Sequence, residues 1–198
     1  MPYGNYRDDR NFTNIIHNNV AEPIIYKDMG WVRIDVNNEL AEIKDNLLAV
    51  DYQVKDRDGN IIYVQERFRG LNYMNYNDFT IRFKREMNRD ETQIYSEFFK
   101  MKSNIANNNN KFYMLYGFAN ERSVDFDKYI IVDLRLIIDL YLNKILVIDE
   151  VDSNIIDGEL HAVHKYNHDD SSSFIAINVK QLNQICPEAI IRQKGYVL

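Results

Sequence analysis

Residues 50–69 read VDYQVKDRDGNIIYVQERFR, and this stretch decides the fold of the chain. Residues 50–54 and 61–69 both alternate apolar with polar side chains, which is typical of half-buried strands. The polar run between them contains Asp58-Gly59-Asn60, a strong hairpin signal. The sequence therefore predicts two antiparallel strands that are joined by a tight turn.

The alternation along the second strand assigns its side chains to two faces. One face carries Ile62, Val64, Glu66 and Phe68, and the other carries Tyr63, Gln65, Arg67 and Arg69. Pairing the apolar faces of the two strands places Gln65 and Arg67 on the same side as Asp51. Glu66 then points to the more apolar side, unless a bulge turns it over.

Further strands and helices are predicted on both sides of the hairpin. Residues 38–46 favour a helix because side chains suited to an N-cap precede helix-forming residues. The later patterns predict strands at 78–84, 112–118, 126–132, 145–148 and 174–179, and helices at about 94–102 and 133–143. Strand patterns that alternate with helix patterns favour an α/β or α+β sheet with helices packed on it.

Two other patterns lead to definite expectations. The apolar residues Phe12, Ile16 and Val20 recur at helical spacing, and Pro23 is expected to end that first helix. His161 and His164 have a His-x-x-His spacing, which would bring two imidazoles together on a helical turn. No third metal ligand in a fixed register accompanies them, so zinc is the weaker interpretation.

Length and composition predict a single globular domain over residues 1–198. The chain has 45% hydrophobic and 27% charged residues and a net charge of −6, which argues against a general polyanion binder. Residues 61–102 contain eight basic and six acidic residues, so this segment has a net charge of +2. An enzyme with a local basic cleft is therefore not excluded.

The cysteine count and the hydropathy pattern predict a cytoplasmic protein. Cys186 is the one cysteine, so an internal disulfide and a cysteine-based zinc site are both excluded. The first residues lack the apolar core of a signal peptide. No apolar run approaches the roughly 20 residues that a membrane-spanning helix needs.

The order of the predicted elements resembles that of the PD-(D/E)xK phosphodiesterase superfamily, which has the restriction-endonuclease-like fold. The similarity covers about residues 39–118 and consists of an acidic helix, a strand with the lone Asp51, a hairpin, a strand with Gln65-Glu66-Arg67, a third strand, a helix and a fourth strand. It implies a central mixed sheet flanked by helices, with C-terminal additions. It also implies metal-dependent hydrolysis of nucleic acid, most often DNA, and a homodimer by analogy.

The resemblance assigns roles to individual residues. Asp51 matches the metal-binding aspartate, and Gln65 matches the second acid position, where some members have glutamine. Arg67 stands where the superfamily has lysine, and Lys100 or Lys102 on the following helix is a substitute of the kind that some members use. The implied metal ligands are Asp51, Gln65, Asp78 and Glu42, and the implied nucleic-acid-binding residues are Arg69, Arg82, Lys84 and Lys102.

These residue types suit phosphodiester chemistry, with two departures. Oxygen ligands hold Mg²⁺ or Mn²⁺, and the ion polarises the phosphoryl group and activates water. A neighbouring cation stabilises the charge that develops on the phosphate. Gln65 is a neutral and weaker ligand, however, and Arg67 clamps a phosphate but cannot act as a base.

Three functions therefore stay open at this stage. The first is a Mg²⁺-dependent DNA nuclease. The second is a nuclease-like fold that binds nucleic acid or a protein without cleavage. The third is an interaction protein without a nucleic-acid role, which the 14 tyrosines would suit because tyrosine is frequent at interfaces.

Overall fold

The structure is a computed structural model that describes residues 6–34, 48–85, 96–149, 158–167 and 172–198. The helices are α1 Tyr6–Ile16, a π-helix His17–Tyr26, α2 Lys27–Met29, α3 Glu97–Asn107, α4 Leu134–Leu142 and α5 Val179–Ile185, with 3₁₀ turns at Leu71–Tyr73 and Pro187–Ala189. The strands are β1 Val32–Arg33, β2 Tyr52–Lys55, β3 Ile61–Arg69, β4 Asp78–Arg85, β5 Lys111–Phe118, β6 Lys128–Asp133, β7 Leu146–Asp149, β8 Leu160–Tyr166, β9 Ser172–Asn178 and β10 Ile190–Lys194.

The larger sheet, sheet A, has the strand order β1-β2-β3-β5-β6-β10. The predicted hairpin is confirmed, because β2 and β3 are antiparallel with Tyr52 opposite Val64. Strands β3 and β5 are parallel. A parallel pair needs a crossover connection, and this one contains β4 and α3.

The smaller sheet, sheet B, has the strand order β4-β9-β8-β7. The mixed α/β class is confirmed, but the strands form two sheets where one central sheet was expected. Strand β4 pairs with β9, which follows much later in the sequence. The alternation of Phe79, Ile81 and Phe83 predicts which face of β4 is buried, but it carries no information about the pairing partner.

Sheet A has a hydrophobic core on each face. The first core lies between sheet A, sheet B, α3 and α4, and it includes Phe79 of β4, Phe98 of α3 and Met114 of β5. The second core lies where α1 and the π-helix cover the opposite face, and it includes Val20 and Leu115. The two faces of β3 therefore have different surroundings, which determines where its polar side chains go.

The prediction that Pro23 ends the first helix is wrong. The helical segment continues through the π-helix and α2, and it ends at Gly30, which has a left-handed φ of 69°. Pro23 lies inside the π-helix, where the regular α-helical hydrogen-bond ladder is already replaced. The helix predicted at 38–46, with Glu42, lies outside the described residues.

Candidate functional site

Asp51 lies immediately before β2 and binds the backbone of β3. Its N–H donates to the Val64 carbonyl at 3.0 Å, and its carboxylate accepts the Glu66 N–H at 2.6 Å. The β2–β3 pairing ends at Val64, while β3 continues to Arg69. The Asp51 carboxylate therefore takes the place of a strand partner for Glu66. Its expected position beside Gln65 stays a prediction.

Gln65 has a buried amide oxygen, Oε1, without a hydrogen-bond partner among the described residues. The side chain is 5% exposed, and β3 places it opposite Met114 of β5. A buried polar atom without a partner costs about 1–3 kcal/mol, so a bound donor or cation would recover that energy.

Glu66 points to the opposite face of sheet A, as the strand alternation predicted. His17 Nδ1 lies 3.0 Å from each of its carboxylate oxygens, and the Tyr26 hydroxyl donates to Oε1 at 2.7 Å. The His17 ring also stacks on Tyr52, with 3.8 Å between ring centroids. Both partners of Glu66 come from the π-helix, and sequence reasoning missed them because nothing local pairs these segments.

Two arginines on different sheets share one carboxylate. Arg67 of β3 contacts Glu97 Oε2 at 3.1 Å, and Arg82 of β4 contacts Glu97 Oε1 at 3.0 Å. Glu97 is the first residue of α3, and Ser96 caps that helix by accepting the Phe99 N–H. This contact links sheet A, sheet B and α3. Glu97 had no assigned role in the sequence analysis, although its place after an N-cap serine is a usable signal for an acid.

Arg69 completes what we call the arginine cluster, formed by Arg67, Arg69 and Arg82 with Glu97. Arg69 donates to Thr80 Oγ1 at 3.4 Å. Burial lowers the pKa of Arg67 to about 10; Arg69 and Arg82 lower it further and Glu97 opposes them. Two of the three arginines thus contact Glu97, and Arg69 interacts electrostatically with Asp78. The Arg82 side chain remains 32% exposed.

Arg67 also has one buried donor without a partner in the described part of the chain. Its Nε is buried and has no hydrogen-bond partner among the residues that the structure describes. Its Nη1 donates to Glu97. One donor of the cluster therefore lacks an acceptor oxygen within the described ranges.

The predicted lysines lie beside the cluster or near aromatic rings. Lys100 is one helical turn after Glu97 on α3. Lys84 Nζ lies 5.7 Å from the Phe83 ring centroid, and Lys102 Nζ lies 5.5 Å from that of Tyr141. Of the predicted nucleic-acid-binding residues, Arg69 and Arg82 therefore lie in the arginine cluster. Lys84 and Lys102 lie next to aromatic rings.

Asp78 lies apart from Asp51 and Gln65. The contact of Arg69 with Thr80, and that of Arg67 with Arg82 through Glu97, show that β3 and β4 run in opposite directions here. Asp78 is therefore near the Arg69 end, four residues beyond Gln65, or about 13 Å along the strand. Burial raises its pKa, and Lys165, Lys128 and Arg69 oppose that rise.

The remaining metal predictions receive no support from the described part of the chain. Glu42 lies outside it, and no group of three or more His, Cys, Asp or Glu side chains within it could hold a metal ion. The helical interpretation of His161 and His164 is wrong because both lie on strand β8. Residues three apart on a strand point to opposite faces.

Comparisons with known proteins do not indicate a function for the chain. No protein-family model, curated protein or solved structure matches the chain. Within the described ranges, none of the helices is both long enough and apolar enough to cross a membrane. The homodimer implied by the resemblance stays a prediction.

Proposed function

We propose that the chain binds the phosphodiester backbone of nucleic acid at the arginine cluster. The observation that carries this proposal is the sharing of one carboxylate by Arg67 and Arg82, with Arg69 as a further cation. The planar fork of a guanidinium matches the oxygens of a phosphate and binds them in pairs. A cluster with a net charge of +2 and a buried Nε donor without a partner therefore favours an anion with several oxygens.

Because the chain as a whole is acidic, nucleic acid is expected to bind where positive charge is concentrated. The chain has a net charge of −6, so its surface as a whole repels a polyanion. Arg82 is the cluster member through which a phosphate approaches, because a third of its side chain is exposed. Lys100, one turn along α3, adds positive charge beside this entry point.

Salt-dependent binding of labelled DNA tests the proposal. Arg82→Gln removes one phosphate contact, and the slope of log affinity against log salt is expected to become shallower by about 0.9 for duplex DNA or about 0.7 for a single strand. Arg57→Gln is the matched control. Arg57 lies in the turn before β3, about 20 Å along that strand from Arg67. Equal slopes for wild type and Arg82→Gln would contradict the proposal.

We propose Mg²⁺- or Mn²⁺-dependent hydrolysis of DNA as a second candidate function at the same place. It is favoured by the buried Oε1 of Gln65, which has no partner among the described residues. Gln65 lies two residues before Arg67 on β3 and next in the chain to Val64, whose carbonyl accepts the Asp51 N–H. Asp51 and Gln65 would hold the ion, which would polarise a phosphoryl oxygen and activate water. Arg67 stays protonated at neutral pH and so clamps the phosphate, which leaves Lys100 as the candidate for proton transfer.

Cleavage of plasmid, linear duplex and single-stranded DNA with Mg²⁺ or Mn²⁺ tests this second function. Asp51→Ala and Gln65→Leu are expected to abolish cleavage, and Asp58→Asn in the exposed turn is the matched control. Circular dichroism checks that the variants fold. If wild-type protein binds DNA but leaves every substrate intact, hydrolysis is excluded and backbone binding stands alone.

A further inference from the structure

A cleft lies where β4, the C-terminal end of α4, β7 and β8 meet. We call it the β4–β7 cleft; it has a volume of about 710 Å³, and its lining includes Phe83, Lys84, Tyr141, Leu142, Lys144 and Leu146. Strand β4 forms one wall, the C-terminal end of α4 forms the rim, and β7 forms the floor. All of these residues lie within the described ranges.

The walls of the β4–β7 cleft suit a planar apolar group. Phe83 is 8% exposed, because it packs against Phe98, Phe99 and His164. The ring available to such a group is therefore that of Tyr141. Tyr141 is half-buried and packs edge-on against Phe98. Leu142 is 54% exposed at the rim, although it is a large apolar side chain.

Two lysines and one aspartate are the charged residues of the cleft lining. Lys84 and the exposed Lys144 both belong to the lining, and Lys102 lies near the Tyr141 ring. Asp149 is the acidic member of the lining, and it lies 4.0 Å from His161 Nδ1. Apolar walls with cations around them favour a planar ring that is attached to anionic groups.

The cleft and the arginine cluster use neighbouring residues of β4. Arg82 belongs to the cluster, while Phe83 and Lys84 line the cleft. The pairing of β4 with β9 shifts register between Arg82 and Lys84, which marks a bulge at Phe83. A bulge re-aims the side chains of a strand and is over-represented beside functional sites.

We propose that the β4–β7 cleft binds one unstacked base of single-stranded nucleic acid, with adjacent phosphates held by Lys84 and Lys144. This inference rests on the proposed backbone binding and adds a preference for single strands. A base within a duplex is stacked and paired and so cannot enter the cleft. An unpaired base presents a ring face, which aromatic side chains bind with little sequence preference.

The first test compares a short oligothymidylate with an abasic strand of the same length and with a duplex, by fluorescence anisotropy. Wild-type protein is expected to bind the oligothymidylate about tenfold more tightly than the abasic strand, because one stacked base contributes that much. Leu142→Glu places a carboxylate at the exposed rim and is expected to abolish this preference. Lys144→Gln is expected to weaken it, and Lys180→Gln on the exposed face of α5 is the control.

A second test separates this inference from the proposed function. Arg82→Gln is expected to lower the affinity for the oligothymidylate and for the abasic strand by the same factor, because it removes a contact with a phosphate of the nucleic acid. Free thymidine 5′-monophosphate probes the cleft alone, through the NMR shifts of the Leu142 and Leu146 methyl groups. Shifts that Leu142→Glu removes support the base site. Absence of shifts, or equal binding of the oligothymidylate and the abasic strand, overturns it whether or not Arg82→Gln affects binding.

Discussion

Glu97 has opposite effects on the stability of the protein and on its charge. Its carboxylate holds Arg67 of sheet A and Arg82 of sheet B together, and its backbone begins α3. The same carboxylate reduces the positive charge that is offered to a phosphate. If the cluster served only to join the two sheets, equal numbers of arginines and carboxylates would be the most stable arrangement. This cluster instead has more arginines than carboxylates.

Glu97→Gln is expected to separate these two effects. The free energy of unfolding should fall by about 1–3 kcal/mol, because charged hydrogen bonds of two arginines are lost. DNA affinity at low salt should rise at least about fivefold, since one opposing unit charge near the phosphate is worth ~1 kcal/mol or more. Urea unfolding and anisotropy measure the two quantities.

Glu121→Gln, at an exposed loop position, is the matched control for Glu97→Gln, and both quantities should stay near their wild-type values. A Glu97→Gln protein that remains folded and binds DNA no better than wild type would show that the cluster is structural only.

Asp78 provides a pH-dependent prediction. Burial raises the pKa of its carboxyl in the folded protein, so the folded state disfavours the ionised form. The resulting cost is absent below the unfolded-state pKa of about 4 and develops as pH rises through the folded-state pKa. Asp78→Asn should therefore be more stable than wild type at pH 7, and the difference should shrink towards acid pH.

Urea unfolding at neutral and acidic pH checks the Asp78 prediction. The exposed Asp127→Asn is the control and should show no such trend. An Asp78→Asn protein that is less stable than wild type at pH 7 would show that attraction from Lys165, Lys128 and Arg69 exceeds the cost of burial.

At the scale of residues, the alternation of apolar and polar side chains predicts which face of β3 each side chain occupies. It does not predict contacts between residues that are far apart in the sequence. The hairpin turn and the strand alternation predict the β2–β3 pairing and the face of Glu66, and both are confirmed. The partners of Glu66 and Arg67 are His17 and Glu97, which lie 49 and 30 residues away in the sequence. Alternation within a strand cannot identify such partners.

At the scale of elements, the π-helix is attached to sheet A through a buried polar contact. Tyr26 donates to the Glu66 carboxylate, and burial first and Glu66 second raise the pKa of Tyr26. The hydroxyl therefore stays protonated and remains a donor at neutral pH. A buried carboxylate needs its donors, so this contact specifies how the helix docks.

Tyr26→Phe is expected to lower the free energy of unfolding by about 1.5–3 kcal/mol, because a hydrogen bond to a charged buried group is lost. Chemical denaturation followed by Trp31 fluorescence reports on this region, since Trp31 packs against Tyr26. Tyr76→Phe is the control because that ring is 60% exposed. Equal losses in the two variants would argue against the Glu66 contact as the cause.

Element type was easier to predict than element pairing. Strand β4 was predicted from its alternation, yet its place in sheet B depends on β9, which the chain reaches much later. Pro23 suggested a helix end, but tertiary packing extends the helix as a π-helix over sheet A. His161 and His164 suit a helix by spacing alone, and their neighbours along β8 form a strand instead.

At the scale of the whole molecule, sheet A lies between two hydrophobic cores, one on each of its faces. The first core contains Phe98, which is fully buried between the sheets and α3. The second core contains Trp31, the one tryptophan of the sequence, on the opposite side of sheet A. A cavity in the first core shifts the unfolding midpoint followed by Trp31 fluorescence only if both cores unfold in one cooperative transition.

Phe98→Ala is expected to reduce the free energy of unfolding by about 3–5 kcal/mol, because it removes a fully buried aromatic ring and leaves a cavity. The Trp31 fluorescence transition and the far-ultraviolet circular dichroism transition should shift to the same lower urea concentration. Tyr76→Phe at its exposed site again serves as the control. If Trp31 fluorescence kept its wild-type midpoint while circular dichroism shifted, the two cores would unfold separately, and the single cooperative domain predicted for residues 1–198 would be wrong.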